Sequence, residues 1–325
     1  MPIVVFLLVV FAIVPGAPAL ADGDRDAVSL RLKWIPQFQF AGYYAALERG
    51  YYADAGLDVA IHPGGLDLSA MQMVASGSDD FGIASPDQLF LAQDKGLDVQ
   101  RVMAVYQASP TGLMVKRSSG IEGPEDFVGQ TVGISFGELT EIEYRAILAA
   151  EGVSSKDINE VKKTYNLARF FNDQVPIWSA YVTDEPFQAE KRDVPVRVFT
   201  GADFGVDFYG DALFTKTEMI NNHPDRVRRF VSASRRGWIW AVRNPEAAIQ
   251  MLTAYSEKPL DHLRFEAEKT LPLLESGATR DHGFGWQEPA RFAYTQRKLQ
   301  EAGLVDRSIP VEAVMTNQFL SPEAP

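Results

Sequence analysis

The residues best equipped for chemistry lie between Leu32 and Tyr43, where Trp34, Phe38, Phe40 and Tyr43 surround Gln37 and Gln39. The aromatics offer stacking faces, and the two amides can each donate and accept. That combination suits a flat, heteroatom-rich small molecule, which needs apolar area and a few placed hydrogen bonds. Any one of these aromatics alone is more often a core residue. The cluster, however, follows a short strand stopped by Pro36 and leads into a helix. In open α/β sheets ligands bind at such strand-to-helix turns. Trp34, Gln37, Gln39, Phe40 and Tyr43 are therefore expected to touch a ligand.

A second motif is Gly133-Ile134-Ser135-Phe136-Gly137, which fits the G-x-S-x-G nucleophile elbow between a strand and a helix. A hydrolase would also need an acid and a histidine, for example Asp281 and His282, but neighbours in sequence do not make a relay. The competing reading is a loop whose bare backbone approaches a ligand. The N–H groups of Gly137 and Glu138 would then hold an anion or a carbonyl. His62, His223, His262 and His282 are scattered without metal-ligand spacing. No metal, no cofactor and no catalytic residue is expected.

Strands and helices must alternate to position these motifs. The pattern reads as helix over 41–49 and 52–55, strand over 57–62, helix over 68–75 and strand over 81–84. Ser85-Pro86 opens the next helix, with Ser85 as cap. Ser85 and Asp87 at that helix start are candidates for ligand contact as well as for capping. Strands follow over 99–106 and 113–115. A second unit runs through strands at 131–134, 161–165, 178–182 and 196–199, and the remainder is read as mostly helical. This is the signature of an α/β protein with mostly parallel strands. The expected plan is a first lobe at 27–115, a second at 116–203, and completion of the first by 204–325. The crossings are expected near Pro110–Lys116 and Thr200–Asp207.

Lys+Arg 31 against Asp+Glu 43 gives a net charge of −12, which argues against nucleic acid or an anionic membrane as partner. Cysteine is absent, excluding disulfides, thiolate metal sites, a thiol nucleophile and a lipid-anchored cysteine. Ile3–Val14 is an apolar run of 12 followed by Ala19-Leu20-Ala21. It is shorter than the roughly 20 residues that span a bilayer. It is read as a signal peptide over 1–21, cut after Ala21, although no Lys or Arg precedes it.

The spacing Leu32-x-Trp34-x-Pro36 to Gly42, then Glu48-Arg49-Gly50-Tyr51-Tyr52 and Ala55-Gly56-Leu57-Asp58-Val59, resembles a known family. It is similar to the thiamine-pyrimidine-precursor-binding and thiamine-pyrimidine-synthase-like branch of periplasmic solute-binding proteins. Gly77 to Ile83, Val132-Gly133-Ile134 and Asp184-Glu185-Pro186 extend the resemblance over nearly all of the chain after Ala27. It implies a type II two-lobed periplasmic binding protein, each lobe a mostly parallel sheet flanked by helices, with two hinge crossings. It implies a monomer that hands a small aromatic heterocycle to the membrane permease of an ABC transporter. Glu185, at the start of a helix in the second lobe, would bind the polar edge of the ligand. Its alternative role is to complement the helix dipole.

The chain departs from the family pattern at Gln37, Gln39 and Phe40, where pyrimidine binders carry Asn, Asn and His. Gln88 stands where the synthases carry a histidine that is consumed. Phe208-Tyr209-Gly210-Asp211 stands near their cysteine-rich segment, which makes Tyr209 a further candidate contact. Synthase activity is disfavoured on both counts. A pyrimidine precursor leads as ligand, with a larger flavin-like heterocycle as the alternative. An extracytoplasmic sensor module is the rival role.

Overall fold

Two five-stranded sheets organise the computed structural model, which describes residues 25–320 except 66, 67 and 165. The expected leader lies outside the described residues. The first sheet holds β1 (Asp26–Arg31), β2 (Leu57–His62), β3 (Phe81–Ala84), β4 (Val99–Ala104) and β10 (Ala212–Lys216), in the order β2-β1-β3-β10-β4. The second holds β5 (Thr111–Lys116), β6 (Thr131–Ile134), β7 (Asn159–Lys162), β8 (Ile177–Tyr181) and β9 (Val196–Thr200), in the order β7-β6-β8-β5-β9. Helices flank both.

In each sheet four strands run one way and one runs against them. The reversed strand is in both cases the one arriving from the other sheet. β5 follows β4 through residues 105–110, and β10 follows β9 through residues 201–211. A chain that leaves one sheet at the edge facing the other sheet and enters that sheet from the same side must run against its new neighbours. β5 belongs to the second sheet, so the first change of sheet precedes Thr111 and does not follow residue 115. The apolar run Leu113-Met114-Val115 suits either sheet, and only its pairing with β8 and β9 decides.

β10 lies in a region expected to be mostly helical. Its five residues carry no alternation because both faces are buried between β3 and β4. β1 ends at Arg31, so Lys33 to Gln37 form the bend itself and Trp34 sits on the turn. β7 begins at Asn159, two residues earlier than its apolar Val161 suggested.

Glycine at two positions fixes how the Trp34 turn is backed. The helices Ala41–Glu48 and Pro224–Arg243 cross with their backbones almost touching. A Cβ on Gly42 would fall 2.1 Å from the Trp238 ring, and one on Gly237 would fall 2.1 Å from the Gly42 carbonyl oxygen. Tyr43 then meets Trp238 edge-on, with centroids 5.7 Å apart and planes at 84°. Phe38, Phe40, Tyr43 and Trp238 thereby belong to the core of the first lobe.

Candidate functional site

A cavity of about 350 Å³ opens between the two sheets. The first lobe contributes Trp34, Gln37, Gln39, Ser85 and Gln88 among others; the second contributes Ser135, Glu138, Thr140, Lys163, Tyr181 and Glu185. Each lobe presents the ends of its strands and the starts of the following helices, the ligand-binding position in open α/β sheets.

A partly buried charged group lines the cavity. Lys33, on the turn after β1, donates to Asp211 Oδ1 at 2.9 Å and to the Tyr181 hydroxyl at 3.1 Å. It therefore joins the first lobe, the second lobe and the second crossing. Burial works against the ammonium, yet Asp211 and Tyr181 outweigh it and hold the lysine well above its ordinary pKa. Asp211 Oδ2 also accepts from Gln39 Nε2, and Gln39 Oε1 accepts from Gln37 Nε2 at 2.5 Å. Both glutamines are buried.

On the opposite wall Glu185 is engaged within its own lobe. Its Oε1 pairs with Lys163 Nζ at 2.5 Å, and its Oε2 accepts from the Tyr181 backbone N–H at 2.8 Å. Lys163 also donates to the Ser179 carbonyl at 2.7 Å. The carboxylate expected to grip a ligand is held chiefly by its own lobe, and a lysine comes with it. Glu138 also lines the cavity. Loss of water around its carboxyl raises its pKa above the ordinary glutamate value.

Asp184 reaches the other lobe. Its Oδ1 lies 3.0 Å from both Lys258 Nζ and His262 Nε2. Both belong to or adjoin the helix Leu260–Thr270 of the first lobe. Phe187 stacks on the His262 ring at 4.1 Å, and Lys191 pairs with Asp261 at 2.6 Å. Asp184, His262 and Glu266 have the donor types of a metal site. Lys258 supplies the cation there, 2.8 Å from Glu266 Oε1. His262, read from sequence as isolated, is thus part of a contact between the lobes.

Five expected contacts lie elsewhere. Phe40 and Tyr43 are buried in the first-lobe core, against which Trp34 also packs, and do not line the cavity. Tyr209 is fully buried at the second crossing, between the Arg101 guanidinium at 4.7 Å and that of Arg291 at 3.7 Å. Asp87 is fully buried and does not line the cavity; burial pushes its carboxyl up to about 6. The Gly137 N–H is taken by Glu141 Oε2 at 2.7 Å, so it is not free for an anion. Ser85 does line the cavity, and its N–H donates to Gln88 Oε1 at 3.2 Å.

The G-x-S-x-G motif has packing reasons. A Cβ at Gly133 would sit 3.0 Å from the Trp178 ring, and Gly137 adopts φ +79°. Ser135 faces the cavity, but His282 stacks on Trp286 at 4.3 Å, away from it. Among the described residues no histidine lines the cavity. Sequence reasoning missed Lys33, Lys163, Tyr181 and Asp211. Lys33 and Asp211 adjoin motifs already singled out, and that adjacency was the available signal.

Residues 37–248 match the model of a family described as NMT1/THI5 like. The chain is 30% identical to the riboflavin-binding protein RibY of Chloroflexus aurantiacus, over 94% of this chain and 89% of that one. It is 24% identical to the formylaminopyrimidine-binding protein of Halalkalibacterium halodurans, over 82% of each. Among solved structures it resembles a putative periplasmic sulfonate-binding protein SsuA from Methylobacillus flagellatus. The TM-score is 0.71 at 17% identity, with 91% of this chain and 93% of that chain covered. The fold is that of the type II periplasmic binding proteins.

Proposed function

We propose that this chain, which belongs to the NMT1/THI5-like family, is the extracytoplasmic solute-binding subunit of an ABC importer for an aromatic heterocycle of the flavin class. The observation that carries this is the cavity between the lobes, with Trp34 on one wall and buried amide and charged groups from both. Small-molecule sites occupy roughly 300–1,000 Å³. A space of about 350 Å³ suits a fused-ring ligand with a polar tail, whereas a single pyrimidine ring would leave much of it unfilled. The similarity to a riboflavin-binding protein supports the same choice, and that to a formylaminopyrimidine-binding protein keeps the smaller heterocycle in the test.

The mode of action is clamping. One wall belongs to each lobe, and the lobes are linked by two crossings that permit hinge closure. Chemistry on the ligand is not part of this reading: Gln88 stands where the related synthases spend a histidine, and the chain has no cysteine. Delivery to a membrane permease completes the proposed function; among the described residues no helix is long and apolar enough to cross a membrane.

Calorimetric titration with riboflavin and with formylaminopyrimidine tests the ligand. Riboflavin should bind with a Kd in the micromolar range or below, and scattering should report closure on binding. Tight binding of formylaminopyrimidine alone would replace the flavin reading. Turnover of either compound would overturn the non-enzymatic one.

A further inference from the structure

An isolated glutamine can present either end of its amide to a ligand, because a half-turn exchanges oxygen and nitrogen. Here that freedom is removed at a distance. Asp211 carries a carboxylate, which only accepts; its Oδ1 takes the Lys33 ammonium at 2.9 Å. Its Oδ2 faces the Gln39 amide, which must turn its nitrogen that way. Gln39 Oε1 is then left toward Gln37, whose own nitrogen has to supply the bond at 2.5 Å. One atom remains. Gln37 Oε1 is buried and has no donor among the described residues.

We propose that Gln37 is the specificity-determining acceptor of this cavity, its polarity imposed by Asp211 through Gln39, and that the ligand meets it with a ring N–H. The proposal rests on the reading that the cavity holds a heterocyclic solute. Gln37 and Gln39 are 4% and 6% exposed, so solvent does not satisfy the spare acceptor easily. A ring N–H would satisfy it. A carbonyl or an unprotonated ring nitrogen at the same place would set two acceptors against each other, and such a mismatch discriminates strongly because the buried group stays unpaired. Asp211 acts here as a positioning residue, two amides removed from the ligand.

Two experiments separate the relay from the ligand. Neutron diffraction from deuterium-exchanged crystals of the unliganded protein should find the Gln37 deuterons on the Gln39 side. Deuterons on Gln37 turned away from Gln39 would overturn the proposal whatever the protein binds. In calorimetry, the wild type should bind riboflavin at least tenfold more tightly than 3-methylriboflavin, whose imide N–H is blocked. Gln37→Met should weaken riboflavin and abolish most of that ratio. Asp211→Asn, which can turn a donor toward Gln39 and so release the amide, should also shrink the ratio. A ratio near one in the folded wild type would overturn the N–H contact. If neither flavin binds the wild type, the solute reading falls while the deuteron positions still decide the relay.

Discussion

Asp184 and His262 meet across the cleft, with Oδ1 and Nε2 3.0 Å apart, although one opens a helix of the second lobe and the other lies on a helix of the first. Together with Lys258 they form a clasp between the lobes beside the cavity. A contact made between lobes exists only while the lobes are together, so it favours the closed arrangement over the open one.

The Asp184 carboxyl of the clasp should stay ionised over the physiological range. Burial alone would raise the Asp184 pKa, but the bonds from His262 and Lys258 outweigh it and hold the carboxyl at about 2. A depressed carboxyl contributes stability above its unfolded pKa of roughly 3.9, and that contribution fades as pH falls toward its folded value. Asp184→Asn should enlarge the radius of gyration in small-angle scattering and weaken ligand binding several-fold at neutral pH. An unchanged scattering profile, free and liganded, would refute the clasp.

Glu143 should show the opposite sign. It is buried between the crossings, accepting from Ser109 Oγ at 2.5 Å, from Thr111 Oγ1 and from the Gly201 N–H at 2.8 Å. Burial dominates those bonds and pushes its carboxyl up to about 7. The folded state therefore binds this proton more tightly than the unfolded chain, and stability drops as pH rises from roughly 4.3 toward that folded value. Glu143→Gln should flatten this slope. Urea titrations at pH 5 and pH 8 measure it; identical slopes in both proteins would remove Glu143 as the cause.

Trp34 and Tyr43 should separate binding from folding. Trp34→Ala removes a face that lines the cavity, which costs about 0.5–1.5 kcal/mol of stacking beyond its lost burial. Tyr43→Ala instead opens a void beside Trp238, and core aromatic truncations cost about 3–5 kcal/mol of stability. Thermal melts and calorimetry on both variants should show weak binding with a near-native melt for Trp34→Ala, and the reverse for Tyr43→Ala.

Glu185 is tested best together with Lys163. Truncating one partner of a buried ion pair leaves the other charge uncompensated, at about 3–5 kcal/mol. Glu185→Ala should therefore destabilise the second lobe, since the Lys163 side chain is only 8% exposed. Glu185→Gln combined with Lys163→Met should recover much of that loss. If Glu185→Ala melts like wild type but binds ligand poorly, the carboxylate serves the ligand first and the lysine second.

The alternation of strands and helices, and the turn that brings Trp34 to the cavity, were legible in the sequence because local periodicity and Pro36 determine them. Which aromatic faces the cavity was not. Phe38 to Phe40 form a single tight turn, where a step of one residue changes the face and no repeat exists to reveal it. The partner of Glu185 was also hidden. Lys163 comes from just beyond β7, and only the pairing of β6 with both β7 and β8 brings it alongside. Lys258 lies just before the helix that carries His262, and Asp184, which gives that proximity a meaning, is 74 residues away from Lys258. β10 left no pattern because a strand buried on both faces needs none.

The reversed strands bear on how the chain acquires its shape. Among the described strands β4 pairs only with β10, more than a hundred residues later, and β9 only with β5. During synthesis the first sheet stays unfinished until residue 216 has emerged and the whole second sheet lies between its halves. Neither half can be cut out as a self-sufficient piece, and pairings so distant in sequence form slowly. A chain built this way remains pliable late, then commits all at once.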